Sequence, residues 1–387
     1  MSEMAAPQGK PWVDAKRWLW LLGPVVPLLV VSSMWTFYST GDTLALFRPW
    51  LFVYVIIPIL DLVFGTDKSN PPESAVSNLE ADNYYRALVA AFVPIQLFVT
   101  IWGAWIVGTQ PLAWYEYVGM IFGVGLLNGV AIVVAHELGH KDVPWERWVA
   151  KITLGPVAYG HFYVEHNRGH HVRVATPEDP ASSRLGESFW AFLPRTVIGS
   201  LTSAWELEAE RLKRKGLPVW HWSNDNLQAW AMTVVLFGAL TAWLGWIVLP
   251  FLVLQAAYGA SLLEVVNYIE HYGLLRAKDP KTGRYVRCSP EHSWNSNHIV
   301  TNLFLYQLQR HSDHHANPMR RYQALRHFDE SPQLPSGYAS MLLLAYVPPL
   351  WRLVMDKRVV EHYGGDLSRA NIQPSKRAKY LARYAAA

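Results

Sequence analysis

The chain is 387 residues long, with 51% hydrophobic residues, 17% charged residues and a formal net charge of +4. A soluble domain carries roughly 25% charged residues, so the pair of ordinary soluble domains that the length would allow is excluded. The one cysteine, Cys288, excludes an internal disulfide framework and any four-cysteine metal site.

Nineteen Trp and nineteen Tyr point instead to an integral membrane protein, because these side chains gather at membrane–water interfaces. The first 17 residues are polar and lack the apolar core and cleavage site of a signal peptide, so the first apolar segment is expected to stay as a span. Lys and Arg are absent from Trp18 to Phe47, Pro49 to Asp67, Ala87 to His140 and Gly216 to Leu275. A span needs about 20 residues. The gaps therefore predict six membrane helices at about 18–38, 46–65, 87–108, 115–136, 228–248 and 251–271.

With that threading, 33 of 34 basic residues fall on one side, Arg48 being the exception. The positive-inside rule places that side, with both termini, in the cytoplasm, which for a bacterial-type chain means the inner membrane. The expected fold is an all-α integral membrane protein with a helical cytoplasmic cap. Residues 1–136 hold the N-terminal segment and four spans, 137–227 the first cap piece, 228–271 two more spans, and 272–387 the second cap piece. The stretch 337–356 is apolar but carries Pro348-Pro349 and Arg352. A membrane-surface helix is expected there rather than a seventh span. No nucleic-acid motif and no internal repeat is present; the bilayer is the expected surface partner, and self-association into a homo-oligomer is left open.

Function is read from the histidines. Nine of the 15 fall in four clusters: His136-Glu-Leu-Gly-His140, Glu165-His166-Asn-Arg-Gly-His170-His171, Asn267-Tyr-Ile-Glu270-His271 and His311-Ser-Asp313-His314-His315. His136/His140, His166/His170 and His311/His315 are each four apart, which on a straight helix puts both rings on one face. His271 ends the last span, with Glu264 and Asn267 on its face, and Asn128 lies two turns below His136. Polar groups lining one stripe of a span mark a functional path. Nine imidazoles exceed the needs of one ion, since zinc takes four ligands and an octahedral ion six. Two metals fit, although imidazole alone does not select iron over zinc, copper or nickel. Glu137, Glu165, Glu270 and Asp313 adjoin the ligands and are expected to accept their second N–H, as carboxylates beside metal-bound histidines do. The deeper Glu264 could bind, bridge or hydrogen-bond. His161, His221, His292, His298, His327 and His362 lack ligand spacing and are expected to pack or hydrogen-bond.

These residues resemble a known family. HELGHK (136–141), EHNRGHH (165–171), NYIEHYGLL (267–275) and LQRHSDHHANP (308–318) are similar to the signatures of the membrane-bound alkane 1-monooxygenases. The likeness extends through NPPES (70–74), ATPEDPASSRLGES (175–188), HSWNSNHIV (292–300) and RRYQALR (320–326), nearly the whole chain. It implies a non-haem di-iron site held by His136, His140, His166, His170, His171, His271, His311, His314 and His315, with no organic cofactor. It also implies O2-dependent hydroxylation of the terminal methyl of an n-alkane, with electrons from a reduced rubredoxin served by an NAD(P)H-dependent reductase. Some relatives carry a fused rubredoxin, which needs two Cys-x-x-Cys knuckles; with one cysteine here, the electrons are expected from a separate protein or from a module outside this sequence.

A narrow tunnel holding the alkane end-on would give terminal selectivity. Its expected wall includes Val53 and Ile57 on the second span and Asn128 and Ile132 on the fourth. Arg211, Lys213, Arg214, Lys215 and the pair Arg320-Arg321 are candidates for docking an acidic donor. A zinc protease reading of HELGH leaves seven clustered histidines unexplained. A fatty-acid desaturase usually has HxxxH, HxxHH and HxxHH boxes; the Glu270-His-Tyr-Gly273 run after the last span and the LQRHSDHH box (308–315) favour the alkane branch. A xylene-type methyl hydroxylase is the nearest rival. A metal transporter would need ligands midway through the membrane, where only Asn128 and Glu264 stand.

Overall fold

The computed structural model describes residues 12–384. These form helices and loops with no β-strand, only four isolated bridges. Six helices are long and apolar enough to cross a membrane: α1 (Leu19–Thr40), α2 (Thr43–Phe64), α3 (Asn83–Thr109), α4 (Trp114–Gly139), and, after three cap helices, α8 (Asp225–Leu244) and α9 (Val248–His271). The number is the one expected, and the ends lie within a few residues of those read from the basic-residue gaps.

The ends have local causes. Gly41 terminates α1 in the left-handed region at φ 74°, a backbone conformation strained for residues with a side chain. Asp42 then caps α2 by accepting from the Leu44 N–H and pairs with Arg48 at 2.7 Å, which accounts for the one basic residue on the far side. Asp82 and Asn224 cap α3 and α8 in the same way. Within α2, residues Phe52–Ile56 form a π-turn just before Pro58, whose missing N–H would break a regular ladder.

The axial helix is α4, which is buried continuously from Val134 to Gly139. It packs tightly on α9. A Cβ added at Gly125 would lie 2.6 Å from the Gln255 carbonyl oxygen, and one at Gly259 would lie 3.0 Å from the Gly125 carbonyl oxygen. Glycine on both helices is what allows this approach, as in other membrane helix pairs. By contrast α8 buries only Asn226, Ala229, Phe237 and Leu240, so most of its surface faces outward.

The cap comprises α5 (Pro144–Leu154), α6, α7 (Phe189–Arg214), the short α10 (His311–Ala316), and the pair α11 (Tyr338–Ala345) and α12 (Pro348–His362). Helix α6 is a continuous stretch made of Phe162–Val164, a π-turn Glu165–His170, and His171–Arg173. Asp61, fully buried on α2, accepts from the Thr301 backbone N–H at 3.0 Å and from its hydroxyl, and so ties α2 to the short helix Ile299–Phe304 of the cap.

The stretch 337–356 is neither a straight span nor one surface helix. Helices α11 and α12 meet at 120°, with Pro348 and Pro349 opening the second. The Tyr338 hydroxyl donates to Glu270 of α9, Tyr346 meets Phe189 edge to face, and Trp351 returns to pack on Tyr268 and Tyr272. The pair is a hairpin that descends beside α9 and climbs back. The tandem prolines favour the break because neither can continue the ladder of α11.

Candidate metal centre

The last turns of α4 and α9 deliver His136 and His271. His140 follows α4, α6 carries His166, His170 and His171, and α10 carries His311, His314 and His315. These elements converge so that the nine rings form two adjoining groups. His136, His140, His166, His171 and His314 make one, and His170, His271, His311 and His315 make the other. Within each group the nearest ring nitrogens lie within 4.8 Å of one another. All nine sequence-predicted ligands are therefore brought together.

The π-turn decides the partition. On a regular helix His171 would point away from His166, but the wider turn brings it round to the same side. His166 meets His171 with Nε2 to Nε2 at 3.1 Å, while His170, its ring stacked 5.3 Å from that of His166, joins the second group.

The donor set fits metal ions. The Nε2 atoms of His136, His140, His170 and His271 are buried and have no hydrogen-bond partner. Others face ring nitrogen to ring nitrogen: His314 Nε2 to His171 Nε2 at 3.0 Å, and His315 Nε2 to His311 Nε2 at 2.9 Å. Cis ligands on an ion with bonds of about 2.1 Å stand about 3.0 Å apart, the same spacing. Burial, then the neighbouring imidazoles, pushes His140, His166, His171, His311, His314 and His315 well below the usual histidine range. They are neutral near pH 7, the form that donates a lone pair.

Carboxylates hold some of these rings, though not as expected. Asp179, nine residues beyond His170, accepts from its Nδ1 at 2.9 Å and from Ser182 Oγ at 2.7 Å. Burial opposes its ionisation, but His170 and Ser182 outweigh it and hold Asp179 at about 2. Sequence reasoning missed Asp179; the available signal was an acid in a proline-bounded polar loop just after the second histidine cluster. Glu270 does adjoin a ligand, with Oε2 3.1 Å from His311 Nε2 and Oε1 accepting from Tyr338. His271 Nδ1 is 3.3 Å from the His292 carbonyl, so a backbone oxygen replaces the expected acid there.

The other acids are engaged elsewhere. Glu137 pairs with Lys141 at 3.2 Å and Glu165 with Arg173 at 2.6 Å. Asp313 accepts from Arg326 at 3.0 Å and from Asn317. Glu264 accepts from Tyr159, Thr196 and Asn267 and from none of the nine histidines. The remaining histidines stand outside both groups, as His292 does against Ser289 and His327 between Asn297 and Asp329.

An apolar cavity runs from the metal centre between α2, α4 and α9 and encloses about 80 Å³. Val53, Ile57 and Ile132 line it, and His136, His166, His311 and Glu270 close its end. Asn128 is not in its wall. Its amide donates to Gln255 at 2.6 Å and its carbonyl accepts from Gln96 at 2.9 Å, a buried network on another side of α4. The proposed substrate contact for Asn128 is thereby corrected to a structural one.

With this geometry in hand, comparison with known proteins is decisive. The chain is 48% identical over 376 residues to an alkane 1-monooxygenase of Acinetobacter baylyi, covering 96% of this chain and 92% of that protein. An alkane 1-monooxygenase of Ectopseudomonas oleovorans is 47% identical over 373 residues, 96% of this chain and 93% of its own.

The chain belongs to the alkane 1-monooxygenase family. It is an enzyme of the oxidoreductase class. The fatty acid desaturase family model also matches, over residues 112–345. The xylene branch is more distant: a xylene/toluene monooxygenase hydroxylase component of Pseudomonas putida is 26% identical over 86% of this chain and 87% of its own.

Proposed function

We propose that this enzyme hydroxylates the terminal carbon of medium- and long-chain n-alkanes with O2 at a pair of iron ions, using electrons from reduced rubredoxin. The observation that carries the reading is the apolar cavity that ends on ligands of both histidine groups, His136 and His166 of one and His311 of the other. Two irons held there would supply the reduction of O2 and the oxidant for a C–H bond.

The protein's own groups set what reacts. Val53, Ile57 and Ile132 offer an alkane only dispersion contacts, so a chain enters without leaving polar groups unpaired. Confinement holds one methyl at the closed end and gives terminal selectivity by position. Asp179 fixes the tautomer of His170 so that Nε2 faces the centre. Glu270 is the acid placed to join a metal as an oxygen ligand, steadied by Tyr338. The cap, both termini and the centre are assigned to the cytoplasmic side of an inner membrane, because 33 of 34 basic residues fall there.

The test is metal content with turnover on the full chain in nanodiscs, supplied with O2, rubredoxin, its reductase, NADH and n-octane or n-dodecane. Two irons per chain and a 1-alkanol product are expected. Val53→Trp and Ile57→Trp should each shorten the longest accepted alkane by several carbons. One zinc with no iron, or an unchanged length limit in both variants, overturns the reading.

A further inference from the structure

A second cleft, remote from the metal centre, lies on the outer face of α12. Arg352 and Lys357 of α12 face Lys376, Lys379 and Arg383 of the C-terminal segment across about 550 Å³. The one acid in its wall is Asp356, and both its oxygens are engaged: Oδ1 accepts from the Tyr272 hydroxyl at 2.8 Å and Oδ2 from Tyr380 at 2.7 Å. Among the described residues none of the five cations is in an ion pair; Lys376 donates to the Gly186 carbonyl at 2.6 Å. Five like charges around one cleft repel each other unless an anion lies between them.

The neighbouring surface says which anion. At the foot of α12, Val347, Leu350 and Leu353 are 44%, 50% and 62% exposed. An exposed apolar strip on a multi-pass membrane protein faces acyl chains. The height of the cleft is fixed by Trp351, which packs on Tyr268 and Tyr272 at the end of α9. The cations thus stand where the last span leaves the hydrocarbon, directly above the apolar strip. That is the profile of one phospholipid: phosphate above, acyl chains below.

We propose that this cleft binds the phosphate headgroup of an anionic phospholipid, with its acyl chains against Leu350 and Leu353. The lipid bridges α12 and the terminal helix Arg377–Tyr384, which otherwise meet there through Asp356 and Tyr380. An acidic protein would satisfy the charge but not the exposed leucines below it.

The test compares the full chain with Lys357→Gln/Lys379→Gln/Arg383→Gln, three exposed positions, after delipidation in detergent. Native mass spectrometry follows added phosphatidylglycerol and phosphatidylcholine. The unaltered chain should retain one phosphatidylglycerol in preference to phosphatidylcholine. Each cation near a membrane surface contributes about five-fold, so the triple variant should weaken that retention by about 100-fold. Millimolar inorganic phosphate should not displace the lipid. Unchanged metal content checks that the variant is folded; if it is not, Lys379→Gln alone should give about a five-fold loss. Equal retention by both proteins overturns the proposal, as does displacement by phosphate. So does a variant that keeps the lipid but loses affinity for an acidic redox protein in phosphatidylcholine nanodiscs.

Discussion

Asp179 shows how one side chain tunes the centre without touching a metal. Its carboxylate holds the Nδ1–H of His170, so the lone pair on Nε2 points into the group of four. Asp179→Asn keeps the shape and removes the charge. Loss of such a partner costs about 10–100-fold in metal affinity. Chelator competition on Asp179→Asn should show that loss for one of two metals, while the group of five, to which Asp179 makes no hydrogen bond, keeps its ion. Equal weakening at both sites would remove Asp179 from this role. The residue was not legible in the sequence because it sits in an aperiodic loop, and acid-next-to-histidine proximity selected Glu137, Glu165 and Asp313, which point to Lys141, Arg173 and Arg326 instead. The clustering of the nine histidines was legible because the four-residue spacing repeats in three of the clusters and the fourth ends a span.

Helices translate that spacing into geometry, and the sequence rule holds only while the helix is regular. Six spans were readable because absent charge and sufficient length suffice to define them. The π-turn at Glu165–His170 was not, because nothing in the four-residue spacing of His166 and His170 signals an extra residue in the turn. The hairpin of α11 and α12 was not legible: the tandem prolines argued against a straight span and pointed to a surface helix, whereas the turn back depends on Trp351 docking on α9. The approach of α4 to α9 brings His136 and His271 to one centre, and it depends on glycine. A side chain at Gly125 meets Gln255 backbone, which cannot yield as a flexible side chain would. Overpacking of this kind costs about 1–3 kcal/mol. Gly125→Leu should lower the thermal midpoint and leave fewer than two metals per chain. Gly238→Leu on α8, where a Cβ meets nothing within 4 Å, should leave both unchanged.

The whole molecule separates the two reactants. The alkane cavity reaches the centre from among the spans, ending on His136, His166 and His311, whereas His140 and His171 are only partly buried at the opposite, cap-facing edge. Under the proposed function, electrons would arrive on the side away from the apolar cavity. Of the basic residues that the sequence offered for donor docking, Arg211 is engaged with Glu208, Arg320 with Glu73 and Arg321 with Glu146. Lys213, Arg214 and Lys215 remain exposed at the end of α7, Arg214 beside Glu210 at 3.7 Å. The edge itself carries Val172, 66% exposed beside His171, and Met319, 54% exposed, whose carbonyl accepts from the Lys141 ammonium group at 3.3 Å. Apolar side chains at the centre of a transient interface contribute more than rim charges. Val172→Glu/Met319→Glu should lower kcat/KM for the protein donor by about ten-fold, the equivalent of about 1.4 kcal/mol. The same variant should react at the unaltered rate when a small chemical reductant replaces the protein, because its cavity and ligands are untouched. A loss with both reductants would mean the substitutions disturb the centre, and no loss with either would place the donor elsewhere on the cap.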